Sequence, residues 1–253
     1  MVFRPVLAAL ALVAVALQPT PAARAAGDTP PLLVELFTSQ GCSSCRPADA
    51  YMEELARRDD LVALSMHVNY WDYIGWKDPF ASNATTDRQR AYGRRLDRGQ
   101  VYTPQIVIDG RDGVVGSNRR AVERAIDDAR AAQRLRLRLR IDARLAPDGG
   151  LVVVVPAAPS FKGAADVWLA RFDAERVTPV PRGENAGYVI RNVNVVRSLA
   201  HIGMWSGKPL EIDLPPDVLM AGEGGRDGCV VIVQIAGLGP VLGVRELALP
   251  GDS

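Results

Sequence analysis

Two cysteines separated by two serines are the residues in this sequence with the clearest chemistry. Cys42-Ser43-Ser44-Cys45 follows an apolar run typical of a strand and precedes a stretch with helical periodicity. The spacing places the two sulfurs one helical turn apart, which is close enough to form a small disulfide ring. A thiolate at Cys42 would lie near a helix N-terminus, with Arg46 as a nearby cation, so its pKa is expected to be low. We therefore expect Cys42 to attack a disulfide and Cys45 to resolve the mixed disulfide.

A threonine and a proline form a second candidate for the same site. Thr103-Pro104 stands directly before the apolar run Gln105 to Ile108. Proline lacks an N–H and tolerates a cis peptide bond, so a proline at the first residue of a strand often marks a special turn.

Three further side chains have both a functional and a structural interpretation. His67 ends a predicted strand and is either a hydrogen-bonded structural histidine or a proton shuttle or metal ligand near the dithiol. Trp71 and Trp76 belong to a short aromatic segment that either lines a substrate groove or packs its own loop. The sequence alone leaves these alternatives open.

The elements that must position these residues form an α/β pattern in the first half of the chain. The hydrophobic periodicity predicts the order β-α-β-α-β-β-α, with an insertion near residues 69–100. The dipeptide Asp109-Gly110 indicates a hairpin between the last two strands. The predicted strands are Leu32 to Phe37, Leu61 to Val68, Gln105 to Ile108 and a short one near Val114, and the predicted helices are Ala48 to Arg58, Thr85 to Leu96 and 118–130.

The hydrophobic period changes to two after Ala132, which predicts a domain boundary near Gln133. The alternating leucines and arginines of residues 134–141 predict a half-buried strand with a solvated arginine face. Further short strands separated by proline and glycine favour an all-β, sandwich-like domain over residues 134–253, after an α/β domain over residues 26–133. In this half, Gly183-Glu184-Asn185 is interpreted as a turn with hydrogen-bonding polar groups.

The N-terminal 25 residues have the features of a secretory signal peptide. Arg4 precedes the apolar run Val6 to Leu17, and Ala23-Arg24-Ala25 has the A-x-A cleavage pattern. This run is shorter than the roughly 20 apolar residues that span a bilayer, so we expect cleavage near Ala25 and a mature chain without a transmembrane segment. The predicted location is periplasmic or secreted, where disulfides persist.

Composition excludes several classes of protein. The chain has 253 residues, of which 48% are hydrophobic, and 30 Lys and Arg against 29 Asp and Glu give a net charge of +1. This composition is typical of a folded protein rather than a disordered one, and it carries no basic footprint for nucleic acid. Of the three cysteines, Cys229 begins an apolar run and is expected to be a buried, inert thiol.

The first half resembles the thioredoxin fold over about residues 31–132. This resemblance implies that Pro104 is cis and packs against the C-x-x-C, and that Thr103 offers backbone groups to an extended substrate beside Cys42. It also implies a buried acid on the first strand, and Glu35 is the candidate although it stands about one residue from the family position. The chain has Gly41 before the motif and Ser43-Ser44 within it, where thioredoxin has Trp and Gly-Pro, so redox potential and partners do not transfer.

More narrowly, nearly the whole mature chain resembles a family of secreted bacterial proteins called domain of unknown function 1223. The stretches that resemble it are 34–45, 67–73, 75–80, 102–105, 183–185 and 192–197.

These observations favour a thiol–disulfide oxidoreductase acting on protein or small-thiol substrates, with a recycling redox partner and no cofactor beyond its own disulfide. Whether it oxidises, reduces or isomerises depends on redox potentials, which the sequence does not show. One alternative is a Cu(I)-binding, metallochaperone-like protein, since thiolates with Met66 or His67 suit Cu(I). Another is a non-catalytic interaction protein whose Cys42–Cys45 disulfide is a structural staple.

Overall fold

Four strands and three helices form the first part of the chain in a computed structural model, which describes residues 30–96 and 99–250. The predicted signal peptide lies outside the described residues. In order along the chain, the elements are β1 (Leu32–Thr38), α1 (Arg46–Leu55), β2 (Leu61–His67), α2 (Asn83–Leu96), β3 (Gln105–Ile108), β4 (Asp112–Val115) and α3 (Arg119–Gln133). Short 3-10 turns occur at Ser43–Cys45 and Asp72–Ile74.

The second part of the chain consists mainly of strands. They are β5 (Asp142–Leu145), β6 (Leu151–Val155), β7 (Ala165–Pro179), β8 (Val189–Trp205), β9 (Leu210–Leu214), β10 (Gly228–Ile235) and β11 (Val241–Ala248), with the one-turn helix α4 (Pro216–Leu219) before β10. Within the described residues, no helix is long and apolar enough to cross a membrane.

Strands from both parts of the chain share one eight-stranded sheet. Its order is β11-β10-β7-β8-β2-β1-β3-β4, with β1 parallel to β2 and antiparallel to β3. The two parts join where β2 meets β8 in parallel at Ser65 and Val195. Side chains reinforce this junction, since the Ser65 hydroxyl donates to the Val193 carbonyl at 2.7 Å and the Asn194 amide donates to the Ala63 carbonyl at 2.9 Å. The predicted boundary near Gln133 falls at the end of α3, and the sheet continues across it.

Helices cover both faces of the sheet around β1. Successive side chains of a strand point to opposite faces, so β1 contributes to a hydrophobic cluster on each side. Val34 and Leu36 pack with Met52 of α1 and Ile126 of α3 in one hydrophobic cluster. Leu33 and Phe37 point the other way, into a cluster that includes Tyr92 of α2. The end of β1 therefore opens onto the N-terminus of α1, with helices above and below it.

A second, three-stranded sheet of order β5-β6-β9 packs against the far part of the large sheet. Val153 of β6 lies in one hydrophobic cluster with Val167 of β7 and Val231 of β10. Cys229 is buried in this same cluster.

The prediction of a strand with a solvated arginine face over residues 134–141 is wrong. The chain has no regular strand there and enters β5 at Asp142. The Arg138 side chain is 8% exposed, and its guanidinium pairs with the Asp109 carboxylate at 3.0 Å and donates to the carbonyls of Pro31 and Val241. Because the Arg138 guanidinium binds two backbone carbonyls as well as Asp109, it holds this connection in an irregular path. The alternating leucines and arginines therefore do not form a strand.

Candidate functional site

The dithiol motif lies in the turn between β1 and α1. Cys42 and Cys45 form a disulfide, with 5.4 Å between their Cα atoms. Both cysteines are 0% exposed, whereas Ser43 and Ser44 between them face solvent. The turn continues into α1, so both sulfurs lie at the N-terminal end of that helix, as the C-x-x-C spacing predicts.

Thr103, in the segment that leads into β3, contacts this turn. The Thr103–Pro104 peptide bond is cis and leads into β3, which pairs with β1. The Thr103 hydroxyl donates to the Cys42 sulfur at 3.3 Å, and it accepts from the indole N–H of Trp71 at 2.7 Å. The structure therefore brings Thr103 to the dithiol, with Trp71 hydrogen-bonded to Thr103 and the cis Pro104 next to it in the chain.

Arg46 begins α1, and its guanidinium stacks on an aromatic ring from the second part of the chain. Its central carbon lies 3.8 Å from the centroid of the Tyr188 ring. This contact holds a cation beside the dithiol turn. The Ser44 hydroxyl lies 3.2 Å from the Cys42 sulfur and adds a polar neighbour on the solvent side.

Trp76 reaches the site through a glutamine in the turn rather than through a sulfur. Its indole N–H donates to the Gln40 side-chain carbonyl at 3.3 Å. The Gln40 amide donates in turn to the Asn192 side chain at 3.0 Å, and the Gln40 backbone N–H donates to Asp78 at 2.8 Å. Trp76 thus supports the backbone that precedes Cys42.

His67 forms a buried ion pair behind the turn. Its Nδ1 lies 2.7 Å from a carboxylate oxygen of Asp78, and both side chains are fully buried. Burial acts to lower the pKa of His67, but the charge and hydrogen bond of Asp78 outweigh burial and raise it above its usual value. Burial likewise acts to raise the pKa of Asp78, but the charge and hydrogen bond of His67, together with the backbone hydrogen bonds from Gln40 and Phe80, outweigh burial and lower it. This pair supports the structural interpretation of His67, since its Nδ1 is committed to Asp78.

Asp49 is a site residue that sequence reasoning missed. It stands four residues after Cys45 in α1, a spacing that places both side chains on one face of the helix. Its carboxylate is 4% exposed and accepts from the Thr38 hydroxyl at 2.8 Å. Burial raises the pKa of Asp49 to about 7, although the charge of His67 opposes the rise. The signal in the sequence was the i, i+4 relation to Cys45.

Glu35 does not join the dithiol. Its carboxylate accepts from the Arg88 guanidinium at 2.6 Å and from the Tyr92 hydroxyl at 2.7 Å. Arg88 also donates to Gln234 of β10 at 3.0 Å, so these four side chains form a buried polar cluster on the α2 face of the sheet.

A loop from the second part of the chain covers the dithiol turn. Asn185 is fully buried, and its amide donates to the carbonyls of Gln40 at 2.8 Å and Cys42 at 3.1 Å. Glu184 accepts from the backbone N–H of Ser43 at 3.1 Å. Gly183 has a φ of +79°, and a Cβ there would lie 3.2 Å from the Trp76 Cβ, so glycine suits this close approach. The motif that the sequence indicated as a polar turn is therefore part of the site.

In the part of the chain that the structure describes, no group of three or more His, Cys, Asp or Glu side chains is placed to hold a metal ion. Met66, the proposed thioether ligand for Cu(I), is buried in the hydrophobic cluster of the α2 face.

Burial raises the pKa of the third cysteine, Cys229, to about 12, so its thiolate is not formed near neutral pH.

Known proteins resemble this chain both in sequence and in fold. A family model described as "Protein of unknown function (DUF1223)" matches residues 33–234. The chain is similar to the X-ray crystal structure of an Agrobacterium tumefaciens protein, a Northeast Structural Genomics Consortium target, with 32% identity over 90% of this chain and 98% of that chain and a TM-score of 0.76. It is also similar to HBP35 of Porphyromonas gingivalis, in fold alone, with 10% identity over 87% of this chain and 76% of that chain and a TM-score of 0.59. No protein with a curated description matches the chain.

Proposed function

We propose that this chain, which belongs to the DUF1223 family, is a thiol–disulfide oxidoreductase with a thioredoxin-like arrangement over residues 31–132. The observation that carries the proposal is the Cys42–Cys45 disulfide at a strand-to-helix turn, with Thr103 bonded to the Cys42 sulfur. Parallel β1 and β2, antiparallel β3 with its hairpin partner β4, and the cis Thr103–Pro104 bond support the fold part of the proposal. The two sheets that share a core support a sandwich-like second part.

In the direction of substrate reduction, the reaction has two exchange steps. The Cys42 thiolate attacks one sulfur of a substrate disulfide, a Cys42–substrate disulfide forms, and the other substrate sulfur leaves as a thiolate that takes up a proton. The Cys45 thiol then loses its proton and attacks the Cys42 sulfur. The Cys42–Cys45 disulfide forms, and the second substrate sulfur leaves as a thiolate. In the reverse direction, the same steps oxidise a substrate dithiol.

Three features of the site favour the first step. The N–H groups at the start of α1 and the Arg46 guanidinium stabilise negative charge at Cys42. The Thr103 hydroxyl donates to the same sulfur, which favours the thiolate over the thiol.

Asp49 is the group that accepts the proton of Cys45 in the second step. It lies one helical turn from Cys45, and its pKa near 7 leaves a large fraction of it ionised and basic at neutral pH. Glu35, the acid that the family resemblance implies, is bonded to Arg88 and Tyr92 instead.

The proposed substrates are protein or small-molecule disulfides, and a separate redox partner recycles the dithiol. The proposed compartment is the periplasm or the outside of the cell, because the first 25 residues have the features of a secretory signal peptide.

The test uses three single cysteine variants in a disulfide-exchange assay with a small aromatic disulfide. Cys42→Ser should abolish turnover, and Cys45→Ser should stop at a mixed disulfide that mass spectrometry detects on Cys42. Cys229→Ser is the matched control and should keep wild-type turnover, since that thiol is buried away from the site. Equal turnover in wild type and Cys42→Ser would refute the proposal.

A structural disulfide is the second candidate, because both cysteines are 0% exposed in the oxidised protein. Structural disulfides typically have reduction potentials below about −300 mV and resist exchange. A potential in that range together with no exchange by the reduced protein would favour this candidate.

A further inference from the structure

The loop between β7 and β8 places a carboxylate at the dithiol turn from about 140 residues away along the chain. Asn185 anchors the loop by donating to the carbonyls of Gln40 and Cys42 while fully buried. With the loop held there, the exposed side chain of Glu184 accepts from the Ser43 N–H at 3.1 Å. This carboxylate is therefore hydrogen-bonded to the residue that follows Cys42 in the chain.

The position of Glu184 matters because a thiolate at Cys42 depends on the same end of α1. Negative charge is stabilised at a helix N-terminus by its unpaired N–H groups, and a second negative charge nearby opposes it. Ser43 follows Cys42 directly, so the Glu184 carboxylate occupies a donor of that turn and adds like charge.

The other charged groups around the turn do not duplicate this effect. The charge of Asp78 is balanced by His67, and Arg46 supplies a cation that opposes Glu184. Burial holds Asp49 near half ionisation at neutral pH. The titratable or charged side chains on the elements around the dithiol are Arg46, Asp49, Tyr51, Glu53 and Glu54 on α1, His67 on β2, Tyr70, Asp72, Tyr73, Lys77 and Asp78 between β2 and α2, and Arg182, Glu184 and Tyr188 in the loop.

We propose that Glu184 tunes the dithiol electrostatically: its carboxylate disfavours the Cys42 thiolate and so stabilises the disulfide relative to the reduced protein. The loop 183–188 thereby makes the second part of the chain a regulator of the redox site. The same loop carries Tyr188, which holds the opposing cation Arg46. The proposal rests on the proposed function for its biological meaning, but the electrostatic effect is measurable without any substrate.

Glu184→Gln is the decisive variant, because glutamine keeps an acceptor for the Ser43 N–H and removes only the charge. The pKa of the Cys42 thiol in the reduced protein is measured from the pH dependence of its alkylation, with mass spectrometry to locate the label. We expect the variant to lower this pKa by roughly half a unit to one unit, the size of one like charge in a partly exposed site. Above the pKa of Cys42, this shift corresponds to a change of about threefold to tenfold in the redox equilibrium, or roughly 15–30 mV towards a more oxidising protein.

Two controls separate charge from other causes. Glu211→Gln removes an exposed charge from β9, in the small sheet, and should leave the pKa of Cys42 unchanged. Because the effect is Coulombic and Glu184 is exposed to solvent, the difference in the pKa of Cys42 between wild type and Glu184→Gln should shrink at about 1 M salt.

The proposal is overturned if Glu184→Gln leaves both the pKa and the redox equilibrium with dithiothreitol at wild-type values. It is also overturned if Glu184→Ala shifts them and Glu184→Gln does not, because the hydrogen bond would then be responsible. Neither result bears on disulfide exchange by wild-type protein, and an absence of exchange would leave the measured pKa difference intact. Failure of this proposal is thus distinguishable from failure of the proposed function.

Discussion

Two buried acids lie on opposite faces of the sheet at β1, and they differ in how their charge is balanced. Glu35 points towards α2 and accepts from the Arg88 guanidinium and the Tyr92 hydroxyl. Asp49 lies on the α1 face, and its hydrogen-bond donor is the Thr38 hydroxyl. A carboxylate with a bonded guanidinium keeps its charge, whereas a buried carboxylate with a neutral donor has a raised pKa and exchanges protons near neutral pH.

The difference in charge balance supports Asp49, rather than Glu35, as the proton acceptor in the proposed reaction. The side chains of a strand alternate between faces, so an offset of one residue on β1 moves an acid from one side of the sheet to the other. Glu35 has the parity of Leu33 and Phe37, which pack towards α2. Thr38 has the opposite parity, and it reaches Asp49 beside the dithiol. We therefore expect the Glu35 cluster to contribute mainly to stability, and we assign the proposed proton transfer to Asp49.

Removing the cation from the Glu35 cluster has the largest expected effect. Arg88→Met keeps much of the side-chain volume and leaves Glu35 buried without its charge partner. We expect the free energy of unfolding to fall by roughly 3–5 kcal/mol in a denaturant titration, since breaking a buried pair strands a charge. Arg191→Met is the control, because its pair with Glu175 is about half exposed and such pairs contribute about 0–1 kcal/mol. If Arg88→Met lowers the free energy of unfolding no more than Arg191→Met does, the buried pair of Arg88 and Glu35 does not stabilise the fold as this comparison requires.

The pH dependence of the free energy of unfolding tests whether the pKa of Asp49 is raised in the folded protein. The pKa of Asp49 is raised on folding from 3.8 to about 7, so its contribution to stability is fully present below about pH 4 and is lost as pH rises through 7. Three pKa units correspond to a loss on the order of 4 kcal/mol. His67, whose pKa is also raised, acts in the same direction at higher pH, since its contribution is lost as pH rises through its folded pKa.

Asp49→Asn isolates the Asp49 part of this pH profile. The amide resembles the protonated acid, so the variant should be more stable than wild type at about pH 8 and similar to it at about pH 4, by denaturant unfolding of the oxidised protein. Asp87→Asn, which neutralises an exposed acid of α2, should follow the wild-type profile. Parallel profiles for wild type and Asp49→Asn would show that Asp49 titrates normally.

The same substitution should slow the closure of the dithiol. If Asp49 accepts the Cys45 proton, Asp49→Asn lowers the rate at which Cys45 resolves a mixed disulfide by roughly tenfold to a hundredfold, at the lower end of general base catalysis. Stopped-flow release of the second aromatic thiolate from a symmetrical aromatic disulfide reports this step. In wild type, the rate should rise through about pH 7 with the ionisation of Asp49. A rate in Asp49→Asn equal to that in Asp87→Asn would assign Asp49 a structural role.

The parts of the site that local sequence predicts are those built from adjacent residues. The strand predicted at Leu32 to Phe37 is Leu32–Thr38, and the helix predicted from Ala48 begins at Arg46. The C-x-x-C turn and Thr103-Pro104 are likewise visible, because each is a short motif at the start of an element. Asp109 and Gly110, which indicated the hairpin, have φ angles of 50° and 65°, as such a turn requires.

The parts that local sequence does not predict depend on contacts between distant residues. The pKa of Asp49 depends on burial and on the charge of His67, which lies at the end of β2. Only the spacing of four residues between Cys45 and Asp49 is visible in the local sequence. Asn185 meets Cys42 from a strand connection 143 residues later. The failed strand over residues 134–141 has the same origin, since Arg138 is held by Asp109, 29 residues before it. Periodicity describes which face of an element is apolar, but it does not describe which polar groups meet across the fold.

The smallest expected effect concerns the hydroxyl that links the aromatic segment to the dithiol. Trp71 donates to the Thr103 hydroxyl, which donates to the Cys42 sulfur, so the indole N–H orients the hydroxyl proton towards sulfur. Trp71→Phe removes this donor while keeping an aromatic ring, and one hydrogen bond contributes about 1 kcal/mol. We expect alkylation of Cys42 to slow by roughly fivefold or less, with little change in stability. Thr103→Val, which removes the hydroxyl itself, should slow alkylation at least as much. If Trp71→Phe slows alkylation and Thr103→Val does not, the tryptophan acts on the dithiol by packing, and the hydroxyl has no part in stabilising the thiolate.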